Sequence, residues 1–240
     1  MCGRYTLFVD QAEIEDRFDV RFVDSFEPRY NAAPGQRLPV ITNEAPETIQ
    51  ELEWGFVPSW ADDSSGGMIN ARSETVDQKP SFREAYEYRR CIVPANGFYE
   101  WTEIDGEKRP FRIAFEDDRL FAMAGIWERW EPPEPSTTQT GLDAFGGGSS
   151  ETKSADDRYE SDVFETFAIL TTTANDLVES IHDRMPVLFE TQTANEWIQK
   201  ADPQDLLRPY SPSEMHTYRV STAVNNPATD DPSIVEPVSS

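Results

Sequence analysis

Alternating apolar and polar positions along the chain predict more strand than helix. Four segments between residues 91 and 130 predict a meander of antiparallel strands: 91–94, 97–104, 110–115 and 120–130. Turn residues separate them, and Asp105-Gly106 predicts one tight turn. Further strands are predicted at residues 38–42, 48–56, 163–172, 186–189 and 217–221. Sheet therefore dominates the expected fold.

Helical periodicity is confined to short segments. Asp10 followed by Glu13 resembles a capping box and predicts a helix that continues through Phe18. Residues 29–35 have neither helical nor strand periodicity and contain Pro-Gly, so they predict a loop. Four further short helical segments are predicted at residues 81–88, 175–180, 193–200 and 204–207.

Residues 131–162 break every pattern. They are rich in Pro, then contain Gly-Gly-Gly-Ser-Ser, and then become acidic and rich in Ser and Thr, a composition that predicts a disordered insertion between two strands. The sequence from residue 226 is an acidic, Pro-rich tail. Because no internal repeat or clean boundary appears, we expect one domain over residues 1–225, interrupted by the insertion at 131–162 and followed by the tail at 226–240.

The charge is strongly acidic, with 45 Asp and Glu against 21 Lys and Arg and a formal net charge of −24. Such a chain should repel polyanions at low salt, so composition alone argues against nucleic acid. An acid-rich, Lys-poor sequence also suits a protein that must remain hydrated in multimolar salt. We interpret the charge as an adaptation to a halophilic environment.

The two cysteines differ in their surroundings. Cys91 lies in an apolar stretch and is predicted to be buried in a strand, which leaves Cys2 as a free thiol in a reducing cytoplasm. The chain has no run of 18 apolar residues and no basic-then-apolar leader, so we expect neither a membrane span nor export.

Cys2 becomes the N-terminal residue if Met1 is removed. Its amine would then condense with an aldehyde to an imine, and its thiol would close on the imine carbon to give a thiazolidine. A base-activated thiol is alternatively a nucleophile for acyl transfer, including cleavage of the bond to Met1. A cysteine at this position is equally compatible with an accident of the start site.

Glu100 and His182 are candidates for proton transfer. Glu100 lies between Tyr99 and Trp101 on a predicted strand, and burial there would raise its pKa towards neutrality, although a solvent-facing acid fits the same pattern. His182 lies beside an Asp and an Arg, so it is either an acid/base or a structural histidine.

Asn70 and three arginines complete the candidate set. Asn70 would orient a substrate amine or oxygen, or be an ordinary turn residue. Arg4, Arg72 and Arg184 each lie within two residues of another candidate, which indicates a phosphate pocket or simple ion pairs with the many carboxylates. The sequence has no metal-ligand spacing, phosphate loop or dinucleotide fingerprint, so we expect no metal and no cofactor.

Six blocks in order together resemble the SRAP family, the SOS-response-associated peptidases or abasic-site processing proteins: MCGRY at 1–5, RYNAAPG at 29–35, WGFVPSW at 54–60, INARSET at 69–75, GFYEW at 97–101 and IHDRMP at 181–186. The resemblance implies an α+β fold of antiparallel, barrel-like β-sheets with peripheral helices. It also implies recognition of an abasic site in single-stranded DNA and a covalent thiazolidine crosslink through Cys2.

The resemblance implies a role for each candidate residue. Cys2 would supply amine and thiol, Asn70 would hold the nucleophile or the thiazolidine, and Glu100 would be the acid/base for sugar-ring opening and imine formation. His182 would move protons on the sugar oxygen and assist crosslink reversal, and together with Glu100 it would serve the self-cleavage that releases Met1. The DNA contacts would be phosphate-binding arginines and residues that wedge or stack at the lesion: Arg4, Arg72, Arg184, Pro34, Trp60 and Trp101.

Two features depart from the family pattern. The insertion at 131–162 is longer than the family's usual connection. The acidity of the chain is unusual for a DNA-binding protein, so we expect a small basic groove within an acidic shell, where stacking and covalent capture replace the affinity that counterion release would supply. Two other functions stay open: a thiol peptidase acting on proteins in trans through Cys2, Glu100 and His182, and a non-catalytic single-strand binding module. We expect a monomer.

Overall fold

The computed structural model describes residues 2–132 and 163–238, so nearly all of the predicted insertion lies outside the described residues. The described residues contain three α-helices: α1 (Gln11–Phe18), α2 (Arg83–Tyr88) and α3 (Thr191–Gln199). They contain fourteen strands: β1 (Tyr5–Leu7), β2 (Arg21–Phe22), β3 (Arg29–Ala32), β4 (Arg37–Thr42), β5 (Thr48–Trp54), β6 (Asn70–Arg72), β7 (Arg90–Ala95), β8 (Gly97–Ile104), β9 (Glu107–Phe115), β10 (Phe121–Trp130), β11 (Phe164–Thr173), β12 (Arg184–Pro186), β13 (Leu188–Phe189) and β14 (Met215–Arg219). Four 3-10 turns complete the elements: Gln204–Leu206, Pro212–Glu214, Thr222–Asn225 and Pro232–Val235.

Two sheets organise these strands. The smaller has the antiparallel order β14-β9-β8-β1-β3, and the larger runs β12-β11-β10-β7-β4-β5-β2. The larger sheet closes on itself because β11 pairs with β10 on one side and, in parallel, with β5 on the other. Closure places Trp54 inside, where its ring stacks on Phe167 at a centroid distance of 6.2 Å. The expected α+β class with antiparallel, barrel-like sheets and few helices is confirmed.

A buried arginine connects strands and turns of the smaller sheet. Arg112 on β9 is fully buried, and its guanidinium donates to the Asn96 carbonyl at 2.9 Å, the Tyr218 hydroxyl at 2.8 Å and the Asp118 carboxylate at 2.7 Å. A Cβ at residue 97 would lie only 2.7 Å from this guanidinium, so Gly97 is needed there. The strand β8, which begins at this glycine, carries Glu100.

Cys91 is fully buried on β7, as its apolar neighbours predict. The predicted helix at residues 175–180 is wrong: the segment forms turns, in which Val178 accepts from the Ile181 and His182 N–H groups at 2.8 and 2.9 Å, and the chain then continues into β12. In the described ranges, no helix is both long and apolar enough to cross a membrane.

The predicted loop at residues 29–35 is also wrong at its start, because β3 pairs there with β1. The tail that the sequence predicts from residue 226 packs on the fold through residue 238. Asp230 accepts from the Tyr30 and Asn31 N–H groups at 2.6 and 2.8 Å, and Ile234 is fully buried. These long-range contacts hold both segments in place.

Candidate functional site

The start of the chain lies along β8. The β1–β8 register pairs Tyr5 with Phe98, and the Tyr99 N–H donates to the Arg4 carbonyl at 3.0 Å. This pairing brings Cys2 towards Glu100. The Cys2 side chain is fully buried, with its Sγ 3.8 Å from the Arg4 carbonyl oxygen. Burial, and next the charge of Glu100, raise the pKa of the Cys2 thiol, so the thiol keeps its proton at neutral pH.

Asn70 holds the backbone of Cys2. It is the first residue of β6, which pairs in parallel with β11 opposite Ile169, so the alternative of a turn residue is wrong. The Asn70 Nδ2 donates to the Cys2 carbonyl at 2.8 Å. The closed larger sheet thus anchors, through one side chain, the residue at which chemistry is expected.

Glu100 is buried, with 2% of its surface exposed, which excludes the solvent-facing alternative. Tyr99 and Trp101 point to the other face of β8, where they contact a small cluster containing Val220, Val224 and Ile234. Burial raises the pKa of Glu100 to about 7, and the negative charge of Asp183 acts in the same direction. Near neutral pH the carboxyl group therefore exists in both protonation states, as proton transfer requires.

His182 lies in the turn before β12 and is partly exposed. Its Nδ1 lies 3.0 Å from the Arg184 backbone nitrogen, whose N–H it accepts, and 3.0 Å from an Asp183 carboxylate oxygen. Burial lowers the pKa of His182, while the charge of Asp183 acts in the opposite direction. The charge of Asp183 thus acts to raise the pKa of both His182 and Glu100.

The three candidate arginines have different surroundings. Arg184 forms a bidentate ion pair with Glu74, at 2.7 and 2.9 Å. Arg4 is half-buried and donates to the Gly3 carbonyl at 3.0 Å, and burial lowers the pKa of its guanidinium. Arg72 is exposed at the end of β6. Of the three, Arg72 is therefore the exposed one, whereas Arg184 is already engaged with a carboxylate.

The candidate stacking residues lie on three separate segments. Trp60 follows β5 and is 66% exposed, while Pro34 follows β3 and is half-buried. Trp101, next to Glu100 on β8, donates its indole N–H to the Asn225 side chain at 2.8 Å. In the described ranges no group of three or more His, Cys, Asp or Glu side chains is arranged to hold a metal ion.

The family model of the SOS response associated peptidases (SRAP) matches residues 1–227. This chain belongs to the SRAP family. Abasic site processing protein YoqW of Bacillus subtilis (strain 168) is 38% identical over 98% of this chain and 99% of its own. Abasic site processing protein HMCES of Xenopus tropicalis is 27% identical over 87% of this chain and 66% of its own. A crystal structure of a protein from Bacteroides thetaiotaomicron superposes with a TM-score of 0.80 at 25% identity, over 99% of this chain and 100% of the other.

Sequence reasoning missed three polar residues that support the candidate site of this SRAP protein. Glu74 pairs with Arg184, Asn225 accepts from Trp101, and Asp230 accepts from the β3 backbone. Glu74 lies within the INARSET block, so its position near Arg72 was the one available signal. Asn225 and Asp230 carry no local signal, because their partners are far away in the sequence.

Proposed function

We propose that this protein recognises an abasic site in single-stranded DNA and joins it covalently through Cys2. The observation that carries the proposal is the buried constellation in which Asn70 holds Cys2 and Glu100 titrates near neutral pH. The names of its relatives YoqW and HMCES as abasic site processing proteins support the same substrate.

The proposed chemistry begins once Met1 is lost. The Cys2 amine attacks the aldehyde carbon of the ring-opened abasic sugar, and protonated Glu100 gives a proton to the departing hydroxyl, which leaves as water. The resulting iminium carbon is then attacked by the Cys2 sulfur while the Glu100 carboxylate takes the thiol proton. The net change is loss of one water and formation of a thiazolidine, with Glu100 returned to its protonated state.

Asn70 acts on the protein reactant, Cys2, and His182 acts on the sugar. Asn70 keeps the Cys2 backbone in place during both bond-forming steps, which raises the effective concentration of amine and thiol. His182 moves protons on the sugar oxygen and assists reversal, since its lowered pKa keeps the ring neutral at pH 7 and able to accept a proton.

The lesion is held by stacking and by a few cations. The exposed Trp60 ring, together with Trp101 and Pro34, supplies surfaces for wedging or stacking at the lesion, and Arg4 and Arg72 supply phosphate contacts. These contacts form a local basic groove on a chain whose net charge is −24. Covalent capture then retains DNA that electrostatics alone would hold weakly.

Loss of Met1 is proposed to be an intramolecular cleavage that uses Cys2, Glu100 and His182. A thiol peptidase acting on proteins in trans is less consistent with the site. The bond to Met1 is already adjacent to the Cys2 side chain, whereas a protein substrate would have to reach a thiol that is fully buried.

The deciding experiment uses protein without Met1, in molar KCl, and a single-stranded oligonucleotide with one abasic site. A denaturing gel should show a heat-stable shifted band, and its intact mass should equal protein plus oligonucleotide minus one water. Cys2→Ala should abolish the band yet still bind an oligonucleotide with tetrahydrofuran at the lesion, which has no aldehyde. No band from protein without Met1, or an equal band from Cys2→Ala, would refute the proposal.

A further inference from the structure

The guanidinium of Arg184 is occupied on both terminal nitrogens. Its Nη1 and Nη2 donate to the two carboxylate oxygens of Glu74 at 2.7 and 2.9 Å, and Nη2 also donates to the Thr171 carbonyl at 2.6 Å. Only 11% of the Arg184 side chain is exposed. A bidentate fork is also the geometry in which arginine binds phosphate. A DNA phosphate can therefore reach Arg184 in this way only by displacing Glu74.

The ion pair also ties together two strands of the site. β11 lies between β6 and β12, and its Thr171 is opposite Arg72 on one side and Pro186 on the other. Glu74 follows β6 and reaches across this edge of β11 to Arg184, the first residue of β12. The contact therefore fixes the strand that begins with Asn70 relative to the strand that follows His182.

Arg184 in turn orients His182, because its backbone N–H donates to the imidazole Nδ1 at 3.0 Å. On the basis of the proposed function, we propose that Glu74 is a positioning residue. It holds Arg184 so that the His182 turn keeps its position relative to β6, the strand that begins with Asn70, and it withholds the Arg184 guanidinium from DNA phosphate. Glu74 thus increases the rate of capture and lowers the affinity for DNA.

The two effects of Glu74 predict opposite changes in one variant. In Glu74→Gln the carboxylate is lost, the fork opens, and Arg184 becomes available to phosphate while the His182 turn loses its anchor. Binding of a tetrahydrofuran oligonucleotide should tighten about 3- to 10-fold at low salt. The single-turnover rate of crosslinking at saturating abasic DNA should fall about tenfold or more, since small displacements of reacting groups are costly.

Glu165→Gln is the matched control. Glu165 pairs with Arg129 at 2.7 Å at the other end of β11, so this variant makes the same change in net charge away from the site. It should alter neither affinity nor rate by more than about twofold. Thermal unfolding of both variants verifies folding, and Glu74→Asp, which keeps the charge but shortens the side chain, should retain wild-type affinity while slowing capture.

The outcomes separate this inference from the function on which it rests. Tighter binding with slower capture in Glu74→Gln alone supports it. A Glu74→Gln protein that matches wild type, or that matches Glu165→Gln in both measurements, overturns it while the crosslinking function stands. Wild-type protein without Met1 that forms no crosslink overturns both.

Discussion

Replacement of Glu100 by Gln tests the central acid of the site through stability as well as through rate. Gln has the shape of a protonated Glu but does not titrate, so the variant keeps the neutral side chain that the buried position favours. Burial raises the pKa of Glu100 from 4.5 to about 7. The substitution should therefore remove a dependence of stability on pH and, at the same time, remove a proton carrier.

The size of the stability effect follows from the pKa difference. Below pH 4.5 the carboxyl is protonated in both states, so it brings no penalty. Between pH 4.5 and about 7 the folded protein keeps a proton that the unfolded chain releases, so the folded state loses stability as pH rises, and the loss is complete above about pH 7. The shift corresponds to about 3 kcal/mol. Glu100→Gln should consequently unfold about 6 to 12 °C above wild type at pH 8 and close to wild type at pH 4.5.

The kinetic effect has the opposite sign. General acid–base catalysis contributes roughly 10²- to 10⁴-fold, so the single-turnover rate of crosslinking by Glu100→Gln at pH 7 should fall by about that factor. The wild-type rate should change most steeply near pH 7, and the variant should lack this inflection. Thermal unfolding and gel-based capture on protein without Met1, both from pH 4.5 to 8 in molar KCl, provide the two measurements.

Glu103→Gln is the control, because Glu103 lies on the same strand and is exposed. Its stability and capture rate should follow wild type across the whole pH range. If the difference in unfolding temperature between Glu100→Gln and wild type is the same at pH 4.5 and pH 8, Glu100 does not titrate near neutrality. If capture by Glu100→Gln keeps both the rate and the inflection, Glu100 is not the acid/base, and the mechanism proposed above is wrong.

Two further predictions concern the chain outside the reacting groups. Asp230→Asn should lower the free energy of unfolding, measured by urea titration, by about 1 to 2 kcal/mol. The reason is that Asp230 accepts two N–H groups of β3 and pairs with Arg29 at 3.4 Å. Glu236 is exposed, so the control Glu236→Gln should leave the free energy of unfolding unchanged. Halophilic adaptation also stays a prediction: unfolding temperature should rise steeply with KCl from dilute buffer to molar salt, and equal stability at both extremes would contradict it.

The strands that could be predicted from the sequence are those whose partners are adjacent in the chain. β8 and β9 form a hairpin through Asp105-Gly106, and the alternation of residues 97–104 is sufficient to define β8 with its observed bounds. β3 could not be predicted in this way. Its pairing depends on β1, and the Asn31 side chain donates to three carbonyls near residues 224–229, about 200 positions away.

In the candidate site, too, local sequence features could be predicted and long-range contacts could not. The chemical types of Cys2, Glu100 and His182 were readable, because an aminothiol, an acid between aromatics and a rare histidine are unusual in themselves. Their environments were not readable. The engagement of Arg184 depends on Glu74, a residue 110 positions earlier, and the retention of Cys2 depends on Asn70 at a separation of 68. The larger sheet brings Glu74 to Arg184, whereas the Asn70–Cys2 contact joins the larger sheet to the chain that leads into β1 of the smaller sheet.

The burial of Cys2 bears on the order of the proposed steps. A thiol whose pKa is raised by burial reacts slowly as a nucleophile, and it is also protected from oxidation and from stray electrophiles. An amine-first route avoids this restriction, because the iminium ion formed by the amine attracts the sulfur while the Glu100 carboxylate removes the thiol proton. The same carboxylate cannot assist both steps unless it changes protonation state between them. With a pKa of about 7, Glu100 changes its protonation state at little free-energy cost at neutral pH. We therefore expect the rate of capture to depend on the burial of Glu100, which sets this pKa, more than on the reactivity of the thiol.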